Sequence, residues 1–177
     1  MKRFFKRNYI YFILITIIIV GGLLMFKIYS IKDNTMNPLY NIDDSFLINK
    51  LNYLISKPMT KDVVLINKNN SLYIRRIIGT PKDDVYVNNG IIYINGLPLL
   101  EDYVGNHKTM DFNFNDVCYI KGCEGGVLPD DYYLVMGDNR EGSIDSRNHE
   151  FGLVNIKDIK GKVLLRLMPV DKVIVVK

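Results

Sequence analysis

Residues 137–147 read GDNREGSIDSR, and they follow directly on an apolar run, YYLVM, at 132–136. Aromatic and β-branched residues in that run favour a strand, and the Gly-Asp-Asn that follows turns the chain. Beyond the turn Ser143, Asp145 and Arg147 occupy alternate positions, and Arg140 adds a second guanidinium. An Asp–Arg pair can lock a loop and fix a neighbouring serine hydroxyl. A salt-bridged loop without further duty would explain the charges alone, but so dense a polar stretch directly after a strand indicates a site.

Short strand-like segments extend to both sides of this stretch. Turn signals separate them, and VYVNNGIIYI predicts a hairpin with its turn at Asn89-Gly90. The predicted strands are 45–48, 63–66, 72–78, 85–87, 91–94, 132–136 and 162–167. No sustained helical periodicity appears after residue 30, and the stretch 101–131 has the composition of a loop. The pattern predicts a single, mainly β domain.

An uncharged segment, YIYFILITIIIVGGLLMF, occupies residues 9–26. It is long enough to cross a bilayer as a helix. A cleaved signal peptide shares the basic start and apolar middle, but this segment is long for one and no run of small residues follows it. The basic residues before it predict a cytoplasmic N-terminus: Lys2, Arg3, Lys6 and Arg7. We predict a cytoplasmic tail at 1–7, a single-pass plasma-membrane anchor at 8–28 and an outer domain at 29–177.

The net charge of +4 says little about partners. Four positive charges belong to the flank of the anchor, which leaves the outer domain close to neutral. Because no basic patch is interleaved with aromatic residues, the sequence gives no indication of nucleic-acid binding.

Two cysteines, Cys118 and Cys123, lie close together in CYIKGC. A zinc site would need two more ligands nearby, and the histidines of the chain are His107 and His149. A small hairpin disulfide suits a domain outside the cytoplasm, and two free thiols in a loop are the alternative. No metal site is predicted.

The stretch DNTMNPLY at 33–40 follows the anchor almost at once. Its polar residues and its proline favour turns, and they surround the apolar residues Met36 and Leu39. Such a stretch is either a plain linker or a loop that must be held at a fixed height above the membrane.

Four stretches together resemble the type I signal peptidases (leader peptidases), membrane-anchored serine proteases that cleave signal peptides on the outer membrane face. GDNREGSIDSR is similar to the family's GDNRxxSxDSR, and YIRRIIGTPKDDV resembles VKRVIGxPGDxV. KDVVLIN resembles a GDIVVF-like strand, and TMNPLY resembles SMxPTL, the loop that carries the nucleophile. The resemblance covers nearly the whole chain. It implies a signal-peptidase-like β-sheet or barrel domain on one transmembrane helix, no cofactor, and an active-site loop at 33–40 supported by Met36 and Pro38.

The residues at the family's catalytic positions differ from its Ser–Lys dyad. Thr35 stands at the nucleophile position and Arg75 at the lysine position. The extra methyl group of threonine restricts rotation about χ1. A guanidinium effectively never loses its proton, so Arg75 cannot act as a general base. Arg76 is no substitute, because neighbouring residues of a strand point to opposite faces.

Two further departures flank the nucleophile position. Asp33 stands where the family often has Ser or Gly, and an ionised carboxylate would repel a developing oxyanion. Leu39 replaces the Thr of SMxPTL. The combined changes imply a family member that resembles its non-catalytic members and has lost or nearly lost proteolysis, with Ser143, Asp145 and Arg147 kept as scaffold. Arg75 is then expected to pair with Asp33 or another carboxylate.

Three functions fit this reading. The first is a binding or assembly factor that takes exported preproteins or pilin subunits as an added strand, because relatives that lack the dyad include proteins associated with pilus assembly in Gram-positive bacteria. The second is an active signal peptidase that uses Thr35 with another base. The third is a scaffold for an active paralogue in the same membrane.

Overall fold

The computed structural model describes residues 2–120, 122–123 and 126–176. Its first element is the helix α1, Lys2–Met25. The segment Asn8–Met25 has a mean hydropathy of 2.2 and none of it is buried against the protein, so this helix is long and apolar enough to cross a membrane. The anchor predicted at 8–28 extends three residues beyond the helix, because Phe26–Ser30 pairs with Ser45–Asn49 as an antiparallel strand.

Eleven strands follow α1 among the described residues. They are β1 Phe26–Ser30, β2 Ser45–Asn49, β3 Val63–Lys68, β4 Ser71–Gly79, β5 Val85–Asn88, β6 Ile91–Ile94, β7 Leu97–Pro98, β8 Tyr132–Met136, β9 Val154–Asn155, β10 Ile159–Met168 and β11 Ile174–Val175. A single helical turn, α2, occupies Asn52–Ile55, and short 3-10 turns lie at Phe114–Asp116, Ile156–Asp158 and Val170–Lys172. The predicted mainly β fold with one N-terminal apolar helix is confirmed.

The strands form two antiparallel sheets. The large sheet has the order β1-β2-β10-β3-β4-β8-β9, with β11 beside β10, and the small sheet has the order β5-β6-β7. Among the described strands the large sheet keeps two free ends, β1 and β9, so it is an open sheet and not a closed barrel.

The turn-rich stretch after β1 is anchored by its apolar residues. Met36 and Tyr40 are buried in one core cluster with Ile31 and Phe46, and the Tyr40 and Phe46 rings meet edge to face with centroids 5.0 Å apart. Pro38 is exposed and lies against Gly105, where a Cβ would come within 3.1 Å of the Pro38 ring. The stretch is therefore a fixed part of the domain and not a plain linker.

The described residues of the stretch 101–131 contain little regular structure, as its composition predicts. They contain the 3-10 turn Phe114–Asp116, and Phe112 forms an isolated β-bridge to Val87 of the small sheet. The sulfur atoms of Cys118 and Cys123 are bonded in the structure, with Cα atoms 5.8 Å apart.

Candidate active site

The strand β4 carries two buried arginines side by side. Arg75 is 1% exposed and Arg76 is fully buried. Because side chains alternate along a strand, the two guanidinium groups lie on opposite faces of the sheet. Arg75 reaches the loop that holds Thr35, and Arg76 reaches Asp138 in the turn after β8.

The guanidinium of Arg75 is held by several acceptors. Its Nη1 donates to Thr35 Oγ1 at 2.6 Å and to the Ile74 carbonyl at 2.7 Å. Its Nε and Nη2 donate to the Ile144 carbonyl at 3.1 and 2.9 Å. Burial lowers the pKa of Arg75, and the charge of Asp33 opposes that shift. The group has donors only, so it can stabilise negative charge at Thr35 but cannot accept the hydroxyl proton.

Asp33 closes the other side of the Thr35 hydroxyl. Thr35 Oγ1 donates to Asp33 Oδ1 at 2.5 Å, and the backbone N–H of Thr35 donates to the same oxygen at 3.2 Å. Arg75 Nη2 lies 3.6 Å from Asp33 Oδ2, so the structure contains the expected ion pair. A backbone N–H beside a nucleophile is a common donor to an oxyanion. Here a carboxylate oxygen already occupies that donor.

Ser143 lies beside this group without joining it. Its Oγ is buried and has no hydrogen-bond partner among the described residues, while Arg75 bonds to the carbonyl of the next residue, Ile144. Gly137 makes the close approach possible, since a Cβ there would lie 2.3 Å from Ser143 Oγ and 2.4 Å from the Thr35 carbonyl oxygen. A buried hydroxyl left unpaired is costly.

Asp145 and Arg147 tie the loop 137–147 together. The buried carboxylate of Asp145 accepts the Gly137 N–H at 2.9 Å and two guanidinium bonds from Arg147, at 2.8 and 2.7 Å. Arg147 Nη1 also donates to the Arg140 carbonyl at 2.7 Å. The two residues bond to each other and to the loop backbone, at Gly137 and Arg140.

A second buried ion pair lies on the opposite face of β4. Arg76 donates to both carboxylate oxygens of Asp138, at 2.9 and 2.7 Å, and both side chains are fully buried. The Arg76 guanidinium also donates to the Lys61 carbonyl at 3.0 Å and lies 3.9 Å above the centre of the Tyr103 ring. This pair was not predicted, because its partners are 62 positions apart in the chain.

Arg140 extends the network into the stretch 101–131. It pairs with Glu101, and it donates to Thr109 Oγ1 at 2.6 Å and to the Gly137 carbonyl at 3.1 Å. The turn after β8 is therefore held from both sides, by Asp145 and Arg147 on one and by Arg140 and Glu101 on the other.

A gap between β1 and β4 opens beside Asp33. The strand β4 pairs with β3 from Ser71 to Arg76, but it pairs with β8 only from Arg76 to Gly79. The strand β1 pairs with β2 alone among the described strands. The gap encloses about 210 Å³. Its lining consists of Tyr29, Ile31, Lys32, Asp33, Ser71, Leu72, Tyr73 and Ile74.

Comparison with known proteins identifies a family. The sequence profile described as "Signal peptidase, peptidase S26" matches residues 2–168. The chain is 34% identical over 152 residues to the probable signal peptidase I-2 of Synechocystis sp., which corresponds to 81% of this chain and 63% of that protein. It is 30% identical over 174 residues to the inactive signal peptidase IA of Staphylococcus aureus, with 97% and 96% of the two chains covered.

A solved structure is similar as well. The crystal structure of a signal peptidase I from Enterococcus faecalis aligns with a TM-score of 0.52 and 31% identity. The alignment covers 61% of this chain and 97% of that one. Both the β domain and the sequence motifs thus resemble those of signal peptidases.

Proposed function

Because the chain belongs to the S26 family of signal peptidases, we propose that it is a membrane-anchored member that binds exported proteins and has lost, or nearly lost, peptidase activity. The proposed clients are exported preproteins, and among them pilin subunits are the more specific candidate. The observation that carries the proposal is that the side chains of Thr35, Asp33 and Arg75 bond to one another, an arrangement called here the closed set.

The closed set supports a loss of hydrolysis in two ways. Arg75 stands at the position of the family's general base, but it donates to the Thr35 hydroxyl oxygen and has no lone pair with which to take a proton. The Asp33 carboxylate takes the N–H of Thr35 and places negative charge where an oxyanion would form. Each effect opposes the tetrahedral intermediate of peptide hydrolysis.

Binding does not need either catalytic group. A strand added at an exposed sheet edge is held by backbone hydrogen bonds. The gap between β1 and β4 lies beside two such edges, and the backbone groups of these edges do not include the Thr35 hydroxyl. The inactive relative in S. aureus is similar over nearly its whole length, which supports a role without cleavage.

A second candidate is an active peptidase in which Asp33 is the general base. The 2.5 Å bond from Thr35 Oγ1 to Asp33 Oδ1 is within the range of a nucleophile and its base, and Arg75 could stabilise the alkoxide. In the active peptidase Asp33 must accept the Thr35 proton, whereas in the binding protein it has no catalytic role. Replacing Asp33 therefore distinguishes the two proposals.

The test measures binding and cleavage together. Full-length protein in nanodiscs is incubated with a preprotein that carries an intact signal peptide, and the wild type is compared with Thr35→Ala and Asp33→Ala. We expect no cleavage by the wild type and retained binding by Thr35→Ala. Slow cleavage by the wild type that both substitutions abolish would establish the second candidate instead.

Thr80→Ala is the matched control for these variants. Thr80 donates its hydroxyl and its N–H to Asp83 at 2.8 Å each, in an arrangement like that of Thr35 and Asp33 but away from the gap. A loss of binding in Thr35→Ala that Thr80→Ala does not share would contradict a binding role that is independent of the hydroxyl.

The proposed topology places the N-terminus in the cytoplasm and the β domain on the outer face of the plasma membrane. The apolar helix Asn8–Met25 supports an anchor, and the basic residues before it support this orientation. External protease should digest the domain in intact protoplasts and leave a membrane-embedded N-terminal fragment. A domain protected until the membrane is opened would show the reverse orientation.

A further inference from the structure

The two edges of the gap have identifiable backbone groups. On β4, Ile77 exchanges backbone bonds with Lys61 and Asp62, which lie on the β3 side. Because backbone groups alternate in direction along a strand, Leu72 and Ile74 point away from β3 and into the gap. Directly after β1, the backbone of Ile31 bonds to Asp43 and Asp44, so the backbone groups that point into the gap belong to the residues on either side of Ile31.

Both outward carbonyls of β4 are occupied by side chains of the protein itself. The Tyr29 hydroxyl crosses from β1 and donates to the Leu72 carbonyl at 2.9 Å. Arg75 Nη1 donates to the Ile74 carbonyl at 2.7 Å. These are the acceptors that an added strand would use on β4. These two donors therefore compete with an extended peptide for the acceptors of β4.

Tyr29 is the cap that can give way more readily. Arg75 is almost wholly buried and has three other hydrogen bonds, whereas Tyr29 is partly exposed and makes one. Burial, followed by the charge of Asp33, raises the pKa of Tyr29, so the hydroxyl keeps its proton and remains a donor. The aromatic ring packs at the margin of the core cluster that contains Ile31 and Met36.

We propose that Tyr29 regulates peptide binding in the gap: its hydroxyl caps the Leu72 carbonyl in the free protein and must release it before an extended chain can pair with β4. This inference rests on the proposed binding function. It assigns to Tyr29 a role in affinity, which a hydroxyl that only satisfies a buried acceptor would not have. On binding, the peptide forms its own hydrogen bond to the Leu72 carbonyl, and the protein loses the hydrogen bond from the Tyr29 hydroxyl.

Tyr29→Phe tests the proposal because it removes the donor and keeps the ring. The probe is a fluorescent synthetic peptide that spans the C-terminal end of a bacterial signal peptide, and its binding to full-length protein in nanodiscs is followed by polarisation. We expect Tyr29→Phe to bind this peptide about three- to tenfold more tightly than the wild type, because one neutral hydrogen bond no longer competes. Equal or weaker binding by Tyr29→Phe would overturn the cap.

Two controls identify the cause of the gain. Tyr53→Phe removes a comparable hydroxyl, which donates to Asp62 at 2.9 Å outside the gap, and should leave peptide affinity unchanged. A series of peptides with one N-methylated residue each should contain one member for which the Tyr29→Phe gain disappears, because that peptide lacks the N–H that meets Leu72. A gain that persists for every member would overturn the assignment to Leu72.

The same assay separates failure of the cap from failure of the proposed function. If neither the wild type nor Tyr29→Phe binds the peptide at any concentration tested, the binding function itself is wrong for signal-peptide sequences. If both bind with the same affinity, the binding function stands and the regulatory role of Tyr29 is wrong.

Discussion

Cleavage of a signal-peptide substrate is expected from the triple variant Thr35→Ser, Arg75→Lys, Asp33→Gly, at about 10³ times the rate of the wild type or more, because nucleophile and base act as a unit in such sites. The three changes remove the three features that close the site: the crowded hydroxyl, the permanent cation and the carboxylate on the N–H of residue 35. A peptide assay on the wild type and on each single, double and triple variant measures the effect.

The ion-pair geometry explains why Arg75→Lys alone should do little. Asp33 Oδ2 lies 3.6 Å from the Arg75 guanidinium, and a carboxylate at that distance favours the protonated form of any cation that replaces it. A lysine introduced beside Asp33 would remain an ammonium ion and could not accept a proton. Asp33→Gly removes that charge.

The control keeps the two other changes and replaces Thr35 with alanine. This variant has the lysine and lacks both the carboxylate and the hydroxyl, so it should be inactive. A single variant that cleaves as fast as the triple variant would show that the remaining two features do not inhibit the site.

Asp138→Ala should destabilise the protein by about 3–5 kcal/mol, the range found when one partner of a buried ion pair is removed. Asp138 accepts two bonds from Arg76, and both side chains are fully buried. Burial by itself lowers the pKa of Arg76, but hydrogen bonding to Asp138 and its charge outweigh that effect and raise the pKa. Without Asp138 a charged guanidinium would remain inside the protein with one strong acceptor fewer.

Equilibrium unfolding of the detergent-solubilised protein, followed by tyrosine fluorescence and circular dichroism, measures this loss. Asp130→Ala is the matched control, because Asp130 pairs with Lys82 at 3.7 Å with both side chains about four-fifths exposed. Its loss should change the free energy of unfolding by less than about 1 kcal/mol. Equal effects of the two substitutions would mean that the Arg76–Asp138 pair contributes no more than a surface pair.

Local patterns predicted most of the fold. All seven predicted strands are present, because each is a run of β-branched or aromatic residues bounded by turn residues. The strand β1 was missed because its first residue, Phe26, still belongs to the uncharged segment, so the change in composition at Lys27 does not coincide with the end of α1 at Met25. The strands β7, β9 and β11 have two residues each and are formed by pairing with neighbours rather than by local propensity.

The sequence motifs predicted which residues form the candidate site but not all of their contacts. The motifs placed Thr35, Arg75 and Asp33, and the structure brings these three together. The hydrogen bond that the Thr35 N–H donates to Asp33 was not predicted. The charge of Asp33 indicated that it would repel an oxyanion, but not that it would accept the N–H that an oxyanion would use.

Other parts of the site depend on long-range contacts. The sequence places Arg76 and Asp138 but not their pairing, and it gives no sign that the Tyr29 hydroxyl crosses to Leu72. Both contacts join residues more than forty positions apart, and they form only when β4 is placed against β8 and β1.

The junction of α1 and β1 has a mechanical consequence. The helix ends at Met25 and the strand begins at Phe26, and the Met25 carbonyl accepts the N–H of Lys50, the residue after β2. No linker residue therefore separates the two elements, and we expect a tilt of the helix to be transmitted directly to the sheet. Five strand residues at about 3.3 Å each separate the end of the helix by about 16 Å from the end of β1, after which the chain enters the loop that holds Thr35. A membrane whose thickness changes the tilt of α1 would therefore move the mouth of the gap without any change inside the domain.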